Sequence, residues 1–437
     1  MYREIYNTLN EWRLEATRKP LLFRGARQVG KTYIVEQFGK DNFSNIITIN
    51  FERNTEYKNI FKTFDPKKII EEIALISGKK ITIGKTLILF DEIQECPKAI
   101  TALRYFYEEM SELHIIGAGS LLDFALKEAN LQMPVGRIQY IFLRPLSFNE
   151  FLRALGEQLI LEYISDINNI KTISEAVHNK LMGLIRTYFV IGGMPAVVKE
   201  YISTKNIAKC QRIQRSITDT YADDFSKYAN KSKLTALQKV FKSAASMVGQ
   251  KFVYSHVDNT MKSNRLKEAV EMLETAGILI RIKRSNGDGI PIEANVKDNY
   301  FKLLFLDIGL LHNIAGIYDK TILGEDIAAI FKGAVAEQFV GQELAVNQDF
   351  YRKSNLYYWA REARNSSAEI DYIFEHKGEI IPVEVKSGKN GKLRSLKMYM
   401  DKYKPKTAFK ISQNTYNQSD GITSIPLYGV AAYLKLK

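Results

Sequence analysis

A chain of 437 residues is too long for a single hydrophobic core and implies about two or three domains. Its 46% hydrophobic and 25% charged residues exclude a disordered or low-complexity chain. The net charge of +13 points to a polyanionic partner, nucleic acid first, with a basic solvated surface as the plain alternative. Cys96 and Cys210 lie far apart without metal-ligand spacing, so neither a disulfide framework nor a zinc site is expected. No apolar run approaches the roughly 20 residues needed to cross a bilayer, and the N-terminus lacks a secretory pattern. The expectation is a cytoplasmic protein without a membrane partner.

Ile5, Leu9 and Trp12 recur at helical spacing, so residues 3 to 17 read as an amphipathic helix ended by Pro20. The apolar run Leu21, Leu22 and Phe23 suits a buried parallel strand. Gly25, Ala26, Arg27, Gln28, Val29, Gly30, Lys31 and Thr32 then fit the phosphate-binding pattern G-x-x-x-x-G-K-[ST] at every fixed position. A helix follows from Tyr33. In such a strand-loop-helix unit the backbone N–H groups point at the phosphates of ATP or GTP. Lys31 adds a charge, and the Thr32 hydroxyl is placed to ligate Mg²⁺.

Ile46 to Asn50 reads as an alternating strand, and Thr86 to Phe90 as an apolar strand delivering Asp91 and Glu92 at its carboxyl end. In that position Asp91 would hold Mg²⁺ and Glu92 would polarise the attacking water. A helix from Pro97 to Ser111 leads to a strand from Leu113 to Ala118. The residue after it, Ser120, is either a sensor beside the γ-phosphate or an N-cap for the next helix. Arg137 precedes the strand Ile138 to Leu143 and is a candidate arginine finger, acting within its own subunit or on a neighbour in a homo-oligomer. Five strands, with the two phosphate-site strands as neighbours, imply an α/β doubly wound parallel sheet with nucleotide at the carboxyl ends.

The stretches Gly25 to Thr32, Leu89 to Gln94, Gly117 to Ser120 and Gly136-Arg137, with Leu143 to Phe151, resemble the prokaryotic AAA-type ATPases that carry an uncharacterised C-terminal domain. The resemblance runs along the whole chain and implies ATP binding and hydrolysis.

Residues 152 to 230 read as helical, with a sharp turn at Gly192-Gly193-Met194-Pro195. The resembled family carries the same element, to which the sequence attaches no chemistry. Asp223 and Asp224 read as a helix cap or solvated face before a metal pair. From Leu237 the order helix, helix, β-hairpin suggests a winged helix. Arg265 and Lys267 would then lie on the recognition helix, and Arg281, Lys283 and Arg284 on the wing. Either this module contacts DNA or it packs between domains with its charges in water.

In the last third, a helix from Phe331 to Val346 carries Glu337 and a strand from Glu369 to Phe374 carries Asp371. A further strand ends in Glu384-Val385-Lys386. On a hairpin, Asp371 and Glu384 would converge on a second divalent metal, with Lys386 on the same face beside its bound water. That pattern resembles the PD-(D/E)xK restriction-endonuclease-like superfamily, with Glu337 as an additional acid. Ile370 stands where that family usually has Pro. From Lys386 to Lys410 basic residues recur against one acid, Asp401, with Tyr399 and Tyr403 interleaved. Such a run suits a nucleic-acid backbone or a solvated face.

The sequence therefore implies an AAA-type P-loop domain over residues 1–155, a helical and winged-helix region over 156–325, and an α/β nuclease-like domain over 326–437. Three functions fit it: an Mg²⁺-dependent ATPase coupled to DNA, an ATP-regulated metal-dependent nuclease, and a nucleotide switch that recruits a protein partner.

Overall fold

The computed structural model describes residues 1–119, 136–228, 231–316, 333–361, 368–386 and 393–434. The chain divides into two compact units, Met1–Arg144 with Phe350–Lys353, and Pro145–Asp349 with Ser354–Lys437.

The first unit is built on five parallel strands, β1 (Leu21–Arg24), β2 (Asn45–Asn50), β3 (Thr86–Asp91), β4 (His114–Ala118) and β5 (Gln139–Phe142), in the order β2-β3-β4-β1-β5. Helices α1 (Ile5–Leu14), α2 (Lys31–Asn42), α3 (Pro66–Ser77) and α4 (Pro97–Glu109) accompany them. β1, β3 and β4 are almost wholly buried, as sheets covered on both faces require. The strands that carry the P-loop and the Asp91-Glu92 pair are not neighbours, which corrects the sequence expectation. β4 lies between them, and Gly117 makes room: a β-carbon there would press on Leu22 and Ile93. α1 is shorter than expected. Trp12 on it is fully buried, and its indole N–H donates to the Lys19 carbonyl at 2.8 Å.

The second unit begins with helices, Phe148–Ala154 to Lys231–Ser246, and closes on an eight-stranded mixed sheet. Its strands are β6 (Leu279–Ser285), β7 (Val296–Phe305), β8 (Leu356–Ala360), β9 (Glu369–His376), β10 (Glu379–Lys386), β11 (Ala408–Ser412), β12 (Asn417–Ser419) and β13 (Ile422–Pro426). Their order is β12-β13-β11-β10-β9-β8-β6-β7. The expected hairpin of the middle region is β6-β7, antiparallel from Leu279↔Phe305, and β6 also pairs in parallel with β8 from Ile282↔Leu356. Hairpin and C-terminal strands thus share one sheet.

The Gly-Gly-Met-Pro turn now has a physical account. Gly192 has φ 72°, and a β-carbon on Gly193 would collide with the Leu146 backbone. The Gly193 N–H donates to Asp307 at 2.6 Å and its carbonyl accepts from Leu146 N–H at 2.7 Å. Asp307 is fully buried, and burial pushes its carboxyl up to about 6. Asp223 and Asp224 lie near the carboxyl end of the helix Ile207–Tyr228, where an N-cap role is unavailable.

Candidate functional site

The P-loop follows β1 and enters α2 through backbone that only a glycine readily adopts. Gly30 has φ 94° and Gly25 φ 137°; a β-carbon on Gly25 would strike the Leu143 carbonyl. Ala26 and Val29 are buried, Arg27 is half-buried, and Gln28 is exposed with φ 63°. Arg3, which the sequence did not single out, braces the loop from outside by donating to the Val29 carbonyl at 3.2 Å and the Arg144 carbonyl at 2.5 Å.

Lys31 opens α2 with its side chain folded back into the loop. Its Nζ donates to the carbonyls of Gly25 at 3.0 Å and Ala26 at 2.8 Å. Desolvation lowers this ammonium to about 8 although Glu92 and Asp91 oppose the shift. The next side chain, Thr32, donates from Oγ1 to Asp91 Oδ1 at 2.9 Å. Asn50, paired with Asp91 across β2 and β3, donates to its other oxygen at 2.9 Å. One hydroxyl and one carboxylate at the mouth of a loop that presents a buried cation are the donor set an Mg²⁺–nucleotide phosphate requires, so the residues fit.

Glu92 occupies the left-handed region at φ 47°, ψ 47°, and its Oε2 accepts from Gln94 Nε2 at 2.6 Å. A non-glycine residue held there is strained, as groups at functional sites often are. Gln94 is buried and its Oε1 has no hydrogen-bond partner among the described residues. Neither Asn50 nor Gln94 was foreseen; both lie one step from residues that were. Ser120 lies outside the described residues. Its neighbour Gly119 is backed by Gln94, whose Oε1 fills the space a β-carbon would take.

Arg137 does not reach this site within its own chain. The P-loop leaves the carboxyl end of β1, whereas Arg137 precedes Gln139, which pairs with Leu21 at the amino end. Its guanidinium bonds Glu108 at 2.8 Å, and the side chain is 44% exposed. This geometry excludes an arginine finger within its own chain and leaves a surface ion pair or action on a neighbouring copy.

In the second unit, β9 and β10 pair antiparallel up to Val383↔Tyr372, which brings Asp371 beside Glu384 and Lys386 as the hairpin expectation required. Glu337 approaches from the helix Ala334–Val346. The centre of the group, however, is taken by a residue the sequence reading missed. Lys302 on β7 is 1% exposed and its Nζ lies 2.7 Å from Glu337 Oε1, 2.6 Å from Glu369 Oε1 and 3.8 Å from Asp371 Oδ1. Asp371 Oδ2 accepts from the Val385 N–H at 2.7 Å, and Lys386 pairs with Glu384 at 2.5 Å. Burial pushes the carboxyls of Glu337 and Glu384 up, and the neighbouring Lys302 and Lys386 ammoniums oppose the shift. These residues do not fit a divalent metal. Among the described residues no group of three or more His, Cys, Asp or Glu side chains is arranged to hold one.

The expected nucleic-acid surfaces are also altered. Arg281 bonds Glu274 at 2.7 Å and lies 5.0 Å over the Phe301 ring, while Arg284 donates to the Ala360 carbonyl at 2.9 Å. Lys283 stands 3.9 Å from Asp298. Arg265 and Lys267 are exposed on the helix Ser263–Thr275, but Glu268, Glu271 and Glu274 share it. Tyr399 and Tyr403 are not free stacking platforms: both pack against Trp359 and donate to the Gly287 and Asn286 carbonyls. Lys397 pairs with Asp420, and Lys406 with Glu379. Lys389 and Lys392 lie outside the described residues.

Residues 17–152 match the family described as AAA domain. Residues 182–321 and 332–430 match two families described as domains of unknown function, DUF8612 and DUF4143. No curated protein matches the chain. Among solved structures it is similar to the Walker-type ATPase PABY2304 of Pyrococcus abyssi, at 16% identity and TM-score 0.45 over 72% of this chain and 95% of that one. The ORC2 protein of Aeropyrum pernix, in ADPNP–ADP complexes, is similar at 10% identity and TM-score 0.35 over 72% and 94%. The ORC1 protein of the same organism, in complex with DNA, stands at 12% and 0.26 over 72% and 91%. The family match over residues 17–152 gives the first unit an AAA-type P-loop domain. Among the described residues no helix is long and apolar enough to cross a membrane.

Proposed function

We propose that this protein is an Mg²⁺-dependent ATPase whose chemistry is confined to the first unit. The observation that carries the reading is the pair of contacts made by consecutive residues: Lys31 buried against the carbonyls of its own loop, and Thr32 bonded to Asp91. Among the described residues the Lys31 ammonium donates to the loop carbonyls of Gly25 and Ala26, and burial disfavours its charge. A triphosphate would accept from this ammonium and favour its charged form.

In this reading the backbone N–H groups from Gly25 to Thr32 orient the phosphates, and Lys31 neutralises charge developing on them. Bound Mg²⁺ supplies further charge neutralisation at the phosphate oxygens. Thr32 and Asp91 would hold it, and Asn50 fixes which way the Asp91 carboxylate faces. Glu92 accepts the proton of the attacking water, oriented by Gln94. Ser120 senses the γ-phosphate, and Arg137 completes the site of a neighbouring copy in a homo-oligomer.

Coupling to DNA is the second reading, and the net charge of +13 favours it over a nucleotide switch that recruits a protein partner. Its contacts would come from exposed lysines and from Arg265, because Arg281 is already ion-paired. The test is calorimetric titration with ATP and GTP in Mg²⁺, followed by phosphate release with and without duplex DNA. ATP binding that Lys31→Ala abolishes supports the nucleotide reading, and turnover raised by DNA supports the coupling. Binding that ignores Lys31→Ala refutes the first, and turnover indifferent to DNA refutes the second.

A further inference from the structure

We propose that the nuclease-like cluster of the second unit carries its own cation: Lys302 stands where a metal-dependent nuclease of this pattern would hold a divalent ion, so the chain's metal site there is latent.

Three observations converge on this. Lys302 lies inside the apolar run Phe301 to Leu306, where a solvated lysine has no place, and it is almost fully buried. Its Nζ lies within 4 Å of three carboxylates drawn from two elements, Glu337 on the helix and Glu369 and Asp371 on β9. Its Nζ also lies over the Tyr358 ring, 5.4 Å from the centroid. Two of these carboxylates, Asp371 and Glu337, are ones a PD-(D/E)xK pattern would assign to a cation; Glu384, the pattern's other acid, pairs with Lys386 instead, and Glu369 takes its place beside Lys302. An ammonium and a divalent ion repel, and three carboxylates at this spacing accommodate one or the other.

The ammonium also has a mechanical consequence. It ties β7 to β9 and, together with the Gln338 bonds to the Phe305 backbone, to the helix Ala334–Val346. The bonds that would close a catalytic centre in a nuclease here fasten one part of the sheet to another. The second unit would then transmit or dock rather than cut phosphodiesters.

The experiment is a titration of the full chain, free of nucleotide, with Mn²⁺, reading free Mn²⁺ by electron paramagnetic resonance. Four proteins are compared: wild type, Asp371→Asn, Lys302→Ala, and Lys302→Ala with Asp371→Asn. Dependence on Asp371 separates this cluster from the P-loop. The proposal predicts equal Mn²⁺ uptake by wild type and Asp371→Asn, one additional site per chain in Lys302→Ala, and loss of that site in the double variant. A site in wild type that Asp371→Asn removes would overturn it, as would a folded Lys302→Ala that gains none. If Lys302→Ala does not fold, the pair of wild type and Asp371→Asn decides: equal uptake upholds the proposal and unequal uptake overturns it.

Discussion

Replacing Lys302 by methionine keeps most of the side chain's volume and removes its charge. Two carboxylate oxygens at 2.7 and 2.6 Å then lose their counter-charge. At an effective dielectric of about 20, each such contact is worth about 6 kcal/mol of attraction before desolvation is counted. Desolvation of the partners offsets most of that. The net cost of removing one member of a buried ion cluster is about 3–5 kcal/mol. In a unit of this size that lowers the melting temperature by about 6 °C or more. The pH dependence follows from the same contacts. Lys302 is held well above its ordinary value by Glu337, Asp371 and Glu369, which outweigh the opposing cost of its burial. Its stabilisation is therefore fully present below its unfolded value of about 10.4 and is lost only as pH rises through the still higher folded one. In Lys302→Met the stranded carboxylates take up protons instead, so the deficit is smaller near about pH 5 than near about pH 8. Thermal unfolding of the full chain at both pH values, with hydrogen exchange on β7 and β9, reads this. A shift under about 1 °C near pH 8, or a deficit that grows on acidification, would refute the electrostatic account.

Gly25→Ala places a methyl against the Leu143 carbonyl on backbone at φ 137°. Strain and overpacking together cost about 2–5 kcal/mol, read as weakened ATP binding with a lowered melting point of the first unit. An unchanged affinity would mean the loop does not hold phosphate in this conformation. Lys31, lowered to about 8 by burial, must be charged to bind a polyphosphate. ATP affinity should therefore fall above about pH 8, by up to about tenfold per unit, and Lys31→Arg should flatten that decline. A wild-type affinity level from pH 7 to about pH 9.5 contradicts the assignment.

How much of this was legible in the sequence differs from site to site. The phosphate loop was readable because its chemistry is local: Gly25 and Gly30 are fixed by backbone conformation, and Lys31 and Thr32 follow in the same turn. The hairpin of Asp371 and Glu384 was readable for the same reason, since alternation and strand length set its facing residues. Strand order is not local. Nothing in β1, β3 or β4 alone says that β4 lies in the middle, so the separation of the two phosphate-site strands could not be read, whereas Arg137 precedes its strand, which in a parallel sheet already places it at the amino ends, away from the nucleotide. Lys302 comes from a strand distant in sequence from its partners, and its one signal was a lysine inside an apolar run. Leu396, Tyr399 and Tyr403 recur at helical spacing, a pattern that marks a core face and outweighs the basic residues around it. The Gly192-Gly193 turn carried no readable chemistry because its partners, Leu146 and Asp307, lie far away in the chain.

The most direct test of the central claim is steady-state phosphate release from ATP by wild type and Glu92→Gln, each with Mg²⁺ and with the metal chelated. Glu92 keeps its position in the substitution but loses its basicity, and removing a positioned general base typically costs about 10²–10⁴-fold. The account predicts Mg²⁺-dependent turnover by wild type, a loss of that size in Glu92→Gln, and ATP binding retained by both. Turnover that persists in Glu92→Gln, or a wild type that binds ATP and releases no phosphate in Mg²⁺, would contradict it.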